Sequence, residues 1–212
     1  NISKKYGRKV ALRDFNLTLD NNVYGLLGPN GSGKTTLLRI ITGLLEPSDG
    51  HLAYKGKAKR TMYGNNLTIG YLPQKFGLLK ELTVWQQMTY FATWKKVPAN
   101  LQKQTIEESV KAVNLEDMMN ARCGSLSGGM VRRLGVAQAI LGKPDLLLFD
   151  EPTTGLDPEE RLRFKTVINN YAGNCPIILS THIVEDAESV CDRAVVLHEG
   201  TMRMNDKLEN LV

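Results

Sequence analysis

The stretch Gly28-Pro29-Asn30-Gly31-Ser32-Gly33-Lys34-Thr35-Thr36 constrains this chain more than any other. Its three glycines admit a turn in which successive backbone N–H groups point inward, closed by the positive end of the helix that follows. The apolar run from Val23 to Leu27 ends at this loop like a strand. Thr35 to Leu44 then carries helical spacing, stopped near Glu46-Pro47-Ser48-Asp49-Gly50. The order is strand, phosphate loop, helix, and the guest it suits is a polyphosphate. Lys34 supplies a point charge for the β- and γ-phosphates, and the Thr35 hydroxyl stands where Mg²⁺ takes a protein oxygen.

Around this unit the hydrophobic period changes twice. Val10 to Leu19 and His51 to Tyr71 alternate and break like antiparallel strands, the latter with a polar Gly64-Asn65-Asn66 turn, and predict a small β layer beside the core. From Leu82 to Val113 the spacing is helical: Val84, Met88 and Phe91, then Ile106, Val110 and Val113 after a break at Pro98. This predicts an insert of two or three helices, with Trp85, Tyr90, Phe91 and Trp94 expected chiefly in core packing. Another helix is expected from Gly129 to Leu141. Strands follow at Leu146 to Asp150, Ile177 to Ser180 and Ala194 to His198, in βα-type units that argue for a parallel, helix-covered sheet. Residue 1 is Asn, and the chain reads as if it starts just after where a first strand should end, so that strand is expected to be missing.

Composition narrows the class. With 212 residues the chain fits one domain, and no apolar run approaches the roughly 18 residues of a spanning helix, so a soluble protein is expected. Cys123, Cys175 and Cys191 are odd in number and outside any metal-ligand spacing, which fits a reducing cytoplasm. The net charge of +5 is scattered rather than blocked, which reads as a solvated basic surface with no direct nucleic-acid partner.

Three further motifs carry chemistry. Leu146-Leu147-Leu148-Phe149 is apolar enough for a central strand and ends in Asp150-Glu151, where open α/β sheets bind ligands. Strand alternation separates the two acids, so Asp150 can serve the Mg²⁺ shell while Glu151 faces an attacking water. The competing reading is that both cap the turn at Pro152-Thr153-Thr154. His182 ends another apolar strand in Ser180-Thr181-His182, placed for the γ-phosphate, although a lone histidine is more often structural. Ser127-Gly128-Gly129 opens a helix with one hydroxyl and two unobstructed N–H groups, either an ordinary N-cap or a second anion-binding terminus.

Taken in order, these motifs make the chain resemble the nucleotide-binding domain of ATP-binding cassette proteins over essentially its whole length. The resemblance implies a P-loop NTPase core (α/β, with a parallel sheet), an antiparallel β subdomain and an inserted α-helical subdomain. Residues 1–74 and 144–212 would form the nucleotide core with its β layer, and 75–143 the helical subdomain with the signature helix. It further implies that Gly28 to Thr36 bind ATP, that Thr35, Gln74 and Asp150 hold Mg²⁺, and that Glu151, His182 and Lys34 are catalytic. Tyr6 in Lys5-Tyr6-Gly7 looks like the residue that stacks on adenine, and Gln74 in Gly70-Tyr71-Leu72-Pro73-Gln74 like the one that couples the insert to the site. Asp157 in Gly155-Leu156-Asp157-Pro158 matches a loop that crosses a dimer interface. Ser127, Gly128 and Gly129 of one subunit would close over the ATP of the other. Met130 departs from the family, where glutamine is common.

The implied partners are a second nucleotide-binding domain, as homodimer or heterodimer, and a multi-span membrane permease, with the chain peripheral on the cytoplasmic face of the membrane. The run from Ser127 to Ala139 and the stretch Gly155 to Arg161 look most like cassettes of bacterial drug, bacteriocin and antibiotic exporters. A ribosome-acting cassette protein, which normally carries two cassettes, and a DNA-repair ATPase are the alternatives. The second would insert a coiled coil or zinc module between loop and signature, yet 98 positions separate Gly28 from Leu126 (126 minus 28) with no cysteine pattern among them. Lys75 to Leu82 is expected either to form a docking groove for the permease or to tuck into the insert's own core.

Overall fold

Among the described residues three strands are buried at every position, and that fixes them as the middle of a sheet covered on both faces. They are β3 in chain order (Val23–Leu27), β8 (Leu146–Asp150) and β9 (Ile177–Thr181). The full order begins β1 (Ile2–Tyr6), β2 (Lys9–Phe15), β3, α1 (Lys34–Ile41), β4 (Asp49–Gly50), β5 (Leu52–Tyr54), β6 (Lys57–Lys59), β7 (Ile69–Leu72). It continues α2 (Val84–Trp94), α3 (Ala99–Lys111), α4 (Gly128–Ile140), β8, α5 (Pro158–Tyr171), β9, α6 (Val184–Glu188), β10 (Arg193–His198), β11 (Thr201–Lys207). This computed structural model describes residues 1–54, the backbone of 57–59 and residues 67–210. The Gly64-Asn65-Asn66 turn lies outside the described residues.

The main sheet has six strands in the order β11-β10-β3-β9-β8-β7, parallel except for the β10–β11 hairpin. Because side chains alternate along a strand, the sheet divides the interior into two cores. Leu147, Phe149, Ile177 and Leu179 face one core with the insert helices, α4 and α5. Leu146, Leu148, Ile178, Tyr24 and Leu26 face the other with α1 and the β1–β2 hairpin. Phe149 meets Phe164 of α5 edge-on at 5.3 Å, a geometry worth about 1 kcal/mol beyond area burial.

Helix starts are written locally. Thr83 and Gln86 form a reciprocal capping box at α2, Pro98 precedes α3, and Asp157 caps α5 with Pro158 in its first turn. Val84, Met88, Ile106 and Val110 are fully buried, as their spacing requires. The insert contains two helices of this kind, α2 and α3.

Four expectations change. Ile2–Tyr6, not read as an element from the sequence, is a strand that pairs antiparallel with Lys9–Phe15 and with Asp49–Gly50. Short, partly polar and half exposed, it offered no apolar run to read. Ile69–Leu72 leaves the antiparallel layer and joins the parallel sheet beside β8, because its alternate residues Gly70 and Leu72 are buried under α4. Of the insert's aromatics, Trp85 and Phe91 pack on the core, whereas Tyr90 and Trp94 are exposed. The Lys75–Leu82 segment is likewise mixed: Phe76 and Leu78 pack against the core and Leu79 is exposed.

Candidate functional site

Parallel pairing brings the carboxyl ends of β3, β9 and β8 side by side, Leu27 opposite Thr181 and Ser180 opposite Asp150. Everything attached to those ends therefore converges where open α/β sheets bind ligands. After β3 comes the glycine loop. Gly33 sits at φ 111°, and a Cβ there would lie 2.5 Å from the Ala11 carbonyl oxygen, so only glycine fits. Ser32 and Lys34 are buried within the loop. The Lys34 ammonium donates to the carbonyls of Gly28 (2.7 Å) and Pro29 (3.3 Å) and stands 3.5 Å from a Glu151 carboxylate oxygen. Pro29, Asn30 and Gly31 are exposed along the rim, with Thr35 and Thr36 half-buried on α1.

After β8 come the two acids. Asp150 is fully buried; its Oδ1 accepts from the Ser180 hydroxyl at 2.6 Å, while Oδ2 has no hydrogen-bond partner among the described residues. A buried carboxylate oxygen left unpaired is costly unless something cationic or a water occupies its free side. Glu151 is also buried, and its backbone is left-handed at φ 51°, a conformation that non-glycine residues keep only when their surroundings enforce it. Its N–H donates to the Ser180 carbonyl (3.1 Å) and hydroxyl (3.2 Å). One serine thus ties both acids.

The Glu151 carboxylate is shared. Oε2 lies 2.9 Å from Nδ1 of His182 and accepts from the Thr154 hydroxyl at 3.2 Å, while Oε1 faces Lys34. Lys34, Asp150, Ser180, Glu151 and His182 form one connected polar network, with His182 partly exposed at its mouth. Burial pushes the Tyr71 hydroxyl on neighbouring β7 up to about 12, with the Asp150 carboxylate adding to it.

The remaining residues singled out by sequence lie outside this network. Gln74 follows β7 with an exposed side chain, its backbone carbonyl accepting from Arg132 at 3.1 Å. Tyr6 is 48% exposed at the end of β1, with the Lys4 ammonium 5.5 Å from its ring centre. Ser127 caps α4, its hydroxyl accepting from Met130 N–H at 3.3 Å, and Ser127 and Gly128 are exposed with Gly129 half-buried. Met130 packs its side chain on the core. Asp157 accepts from Glu160 N–H at 2.8 Å as the cap of α5.

A glycine-rich loop, a buried acid with a free oxygen and a second acid held between lysine and histidine all stand at adjacent strand ends. The family model described as ABC transporter matches residues 12–154. The chain belongs to the ABC transporter family. A Nod factor export ATP-binding protein I of Burkholderia orbicola is 36% identical over 94% of this chain and 67% of its own length. An uncharacterised ABC transporter ATP-binding protein of Bacillus subtilis is 33% identical over 99% of this chain and 70% of its own. Among solved structures, a dimeric ATP-binding cassette in a post-hydrolysis state bound to ADP and Pi superposes with a TM-score of 0.87 at 25% identity, covering 98% of this chain and 97% of that one. The ATP-binding subunit of an ABC transporter gives 0.88 at 28%, covering 99% and 89%. The cassette fold, a parallel-sheet core beside antiparallel strands, is therefore that of this chain.

Two residues of the site carried no separate signal in the sequence. Ser180 stood only as part of the histidine motif, because only the pairing of β8 with β9 sets its hydroxyl beside Asp150. Arg132 stood only within the run from Ser127 to Ala139.

Proposed function

We propose that this chain is the ATP-binding and ATP-hydrolysing subunit of an ABC exporter, energising transport through a separate membrane-spanning permease. The observation that carries it is Glu151, buried and held between Lys34 and His182 next to the unpaired oxygen of Asp150. Export is the function printed for the Burkholderia relative, and ATP turnover fits the ADP- and Pi-bound neighbour.

In this reading the loop from Gly28 to Thr36 binds the phosphates, and Lys34 exchanges its loop carbonyls and Glu151 for phosphate oxygens. Thr35, Gln74 and Asp150 would hold Mg²⁺, which fits the free Asp150 oxygen; bound there, the ion neutralises phosphate charge. Glu151, released from Lys34, orients the water and accepts its proton; His182 keeps that carboxylate aimed and faces the γ-phosphate. Tyr6 stacks on adenine. The exposed Ser127-Gly128-Gly129 terminus and Asp157 serve a second cassette across a head-to-tail dimer, a partnership supported by the dimeric structural neighbour. The chain would dock on the cytoplasmic face of the membrane; among the described residues no helix is long and apolar enough to cross it.

Glu151→Gln tests the reading. The amide keeps the size of the acid but cannot accept a proton, so hydrolysis should fall about 10²–10⁴-fold with ATP affinity retained. Turnover and nucleotide titration of the purified protein check this; near-normal turnover would move the base elsewhere.

A further inference from the structure

Arg132 lies on α4, five positions after its cap Ser127, and every N–H of its guanidinium has a main-chain acceptor. Nε donates to the Pro152 carbonyl at 2.9 Å. Nη1 donates to the carbonyls of Pro73 and Gln74, each at 3.1 Å. Nη2 donates to the Asp150 carbonyl at 3.0 Å and to that of Glu151. Three acceptors lie at the end of β8 and in the turn that follows it, and two in the turn after β7, neighbouring strands of the sheet. One side chain of the signature helix therefore clamps both turns that bear the proposed Mg²⁺ and water-activating residues.

The left-handed backbone of Glu151 needs enforcement, and it comes from two sides: Ser180 on the amide and Arg132 on the carbonyl. A tilt of α4 cannot leave those two turns in place, because a rigid fork with five satisfied donors has no slack. Lysine, with three donors and no planar fork, could hold only part of this set.

We infer that Arg132 is a positioning residue that transmits the seating of Ser127 on a partner's nucleotide to Glu151 and Gln74 of its own site. This rests on the ATPase reading above. It makes the two composite sites of a dimer interdependent: closure at one end of α4 sets the geometry for water attack at the other end of the clamp. Nucleotide binding by the glycine loop does not involve Arg132.

The test uses Arg132→Met and Arg132→Lys in the full chain with Mg²⁺-ATP. We measure kcat, KM, the Hill coefficient for ATP, nucleotide affinity by titration, and Tm. In Arg132→Met, kcat should fall about 10–100-fold, as for a misplaced catalytic group, while affinity stays within about twofold. The Hill coefficient should drop towards 1, and Arg132→Lys should recover part of kcat. Either folded variant with wild-type kcat and cooperativity overturns the inference, as does a lowered Tm with kcat per bound nucleotide unchanged. If Arg132→Met does not fold, Arg132→Lys, which keeps charge and stem, decides. An unaltered chain that binds ATP without hydrolysing it, alone or with its permease, would instead overturn the ATPase reading, and this inference with it.

Discussion

Two helix N-termini in this protein offer the same local chemistry in opposite surroundings. At α1, Gly33 is hemmed in by the Ala11 carbonyl, Lys34 is buried, and both acids stand within the same network. At α4, a Cβ added to Gly128 would meet nothing within 4 Å, and Ser127 is open to solvent with only its own turn to cap. Backbone N–H groups and a helix dipole favour anions at both. The first terminus is enclosed by a polar network, whereas the second faces solvent, and the difference lies in what the rest of the fold places opposite.

The largest effect that should separate them comes from adding one methyl group at each. Gly33→Ala forces both a clash and a disfavoured φ, so about 3 kcal/mol should be lost, a fall in Tm of about 6–12 °C for a chain of this size. Gly128→Ala should leave Tm within about 2 °C and instead weaken ATP-driven pairing in sedimentation. Equal melting losses at both positions would break the contrast.

A smaller effect is expected at Ser127→Ala. Losing the cap should cost about 1 kcal/mol, with ATP affinity of the single chain unchanged because the glycine loop is untouched. Calorimetry and nucleotide titration read the two separately; a fall in single-chain affinity would join the two termini into one site and remove the distinction.

A third contrast lies at the far end of α4. The Lys95 ammonium donates to the carbonyls of Gln138 (2.6 Å), Ala139 (3.0 Å) and Leu141 (3.1 Å), closing the helix terminus, and burial pulls its pKa down to about 7. The unfolded value is about 10.4, so the unfolded chain binds more protons between these limits. Stability from this group is complete above about 10.4 and is lost as pH falls towards about 7. Denaturant unfolding between pH 7 and 9 should show stability rising by less than about 1.4 kcal/mol per pH unit, and Lys95→Met should flatten that rise. An unchanged slope in the variant would assign it to other groups.

Much of this molecule was legible locally. Val23–Leu27 and Leu146–Asp150 are strands with the bounds their apolar runs suggest, because a strand buried on both faces needs no partner to reveal it. The glycine loop and the Ser127 cap depend on residues a few positions apart, so a local reading could find them. Ile2–Tyr6 was missed since it gains its order from pairing with Lys9–Phe15, and Ile69–Leu72 was misplaced since only its neighbour β8 makes it parallel.

The sequence by itself determined which groups are present: a nest for phosphate, two acids ending an apolar strand, a histidine ending another. The tertiary structure decided which of them meet. Sheet order sets β9 between β3 and β8, and that alone brings Lys34, Glu151 and His182, 148 positions from first to last (182 minus 34), into one network. It also brings five carbonyls around Arg132. The physical reason is that strand pairing and burial are long-range: a side chain's role depends on which backbone groups surround it, and those come from segments its own sequence neighbours do not specify.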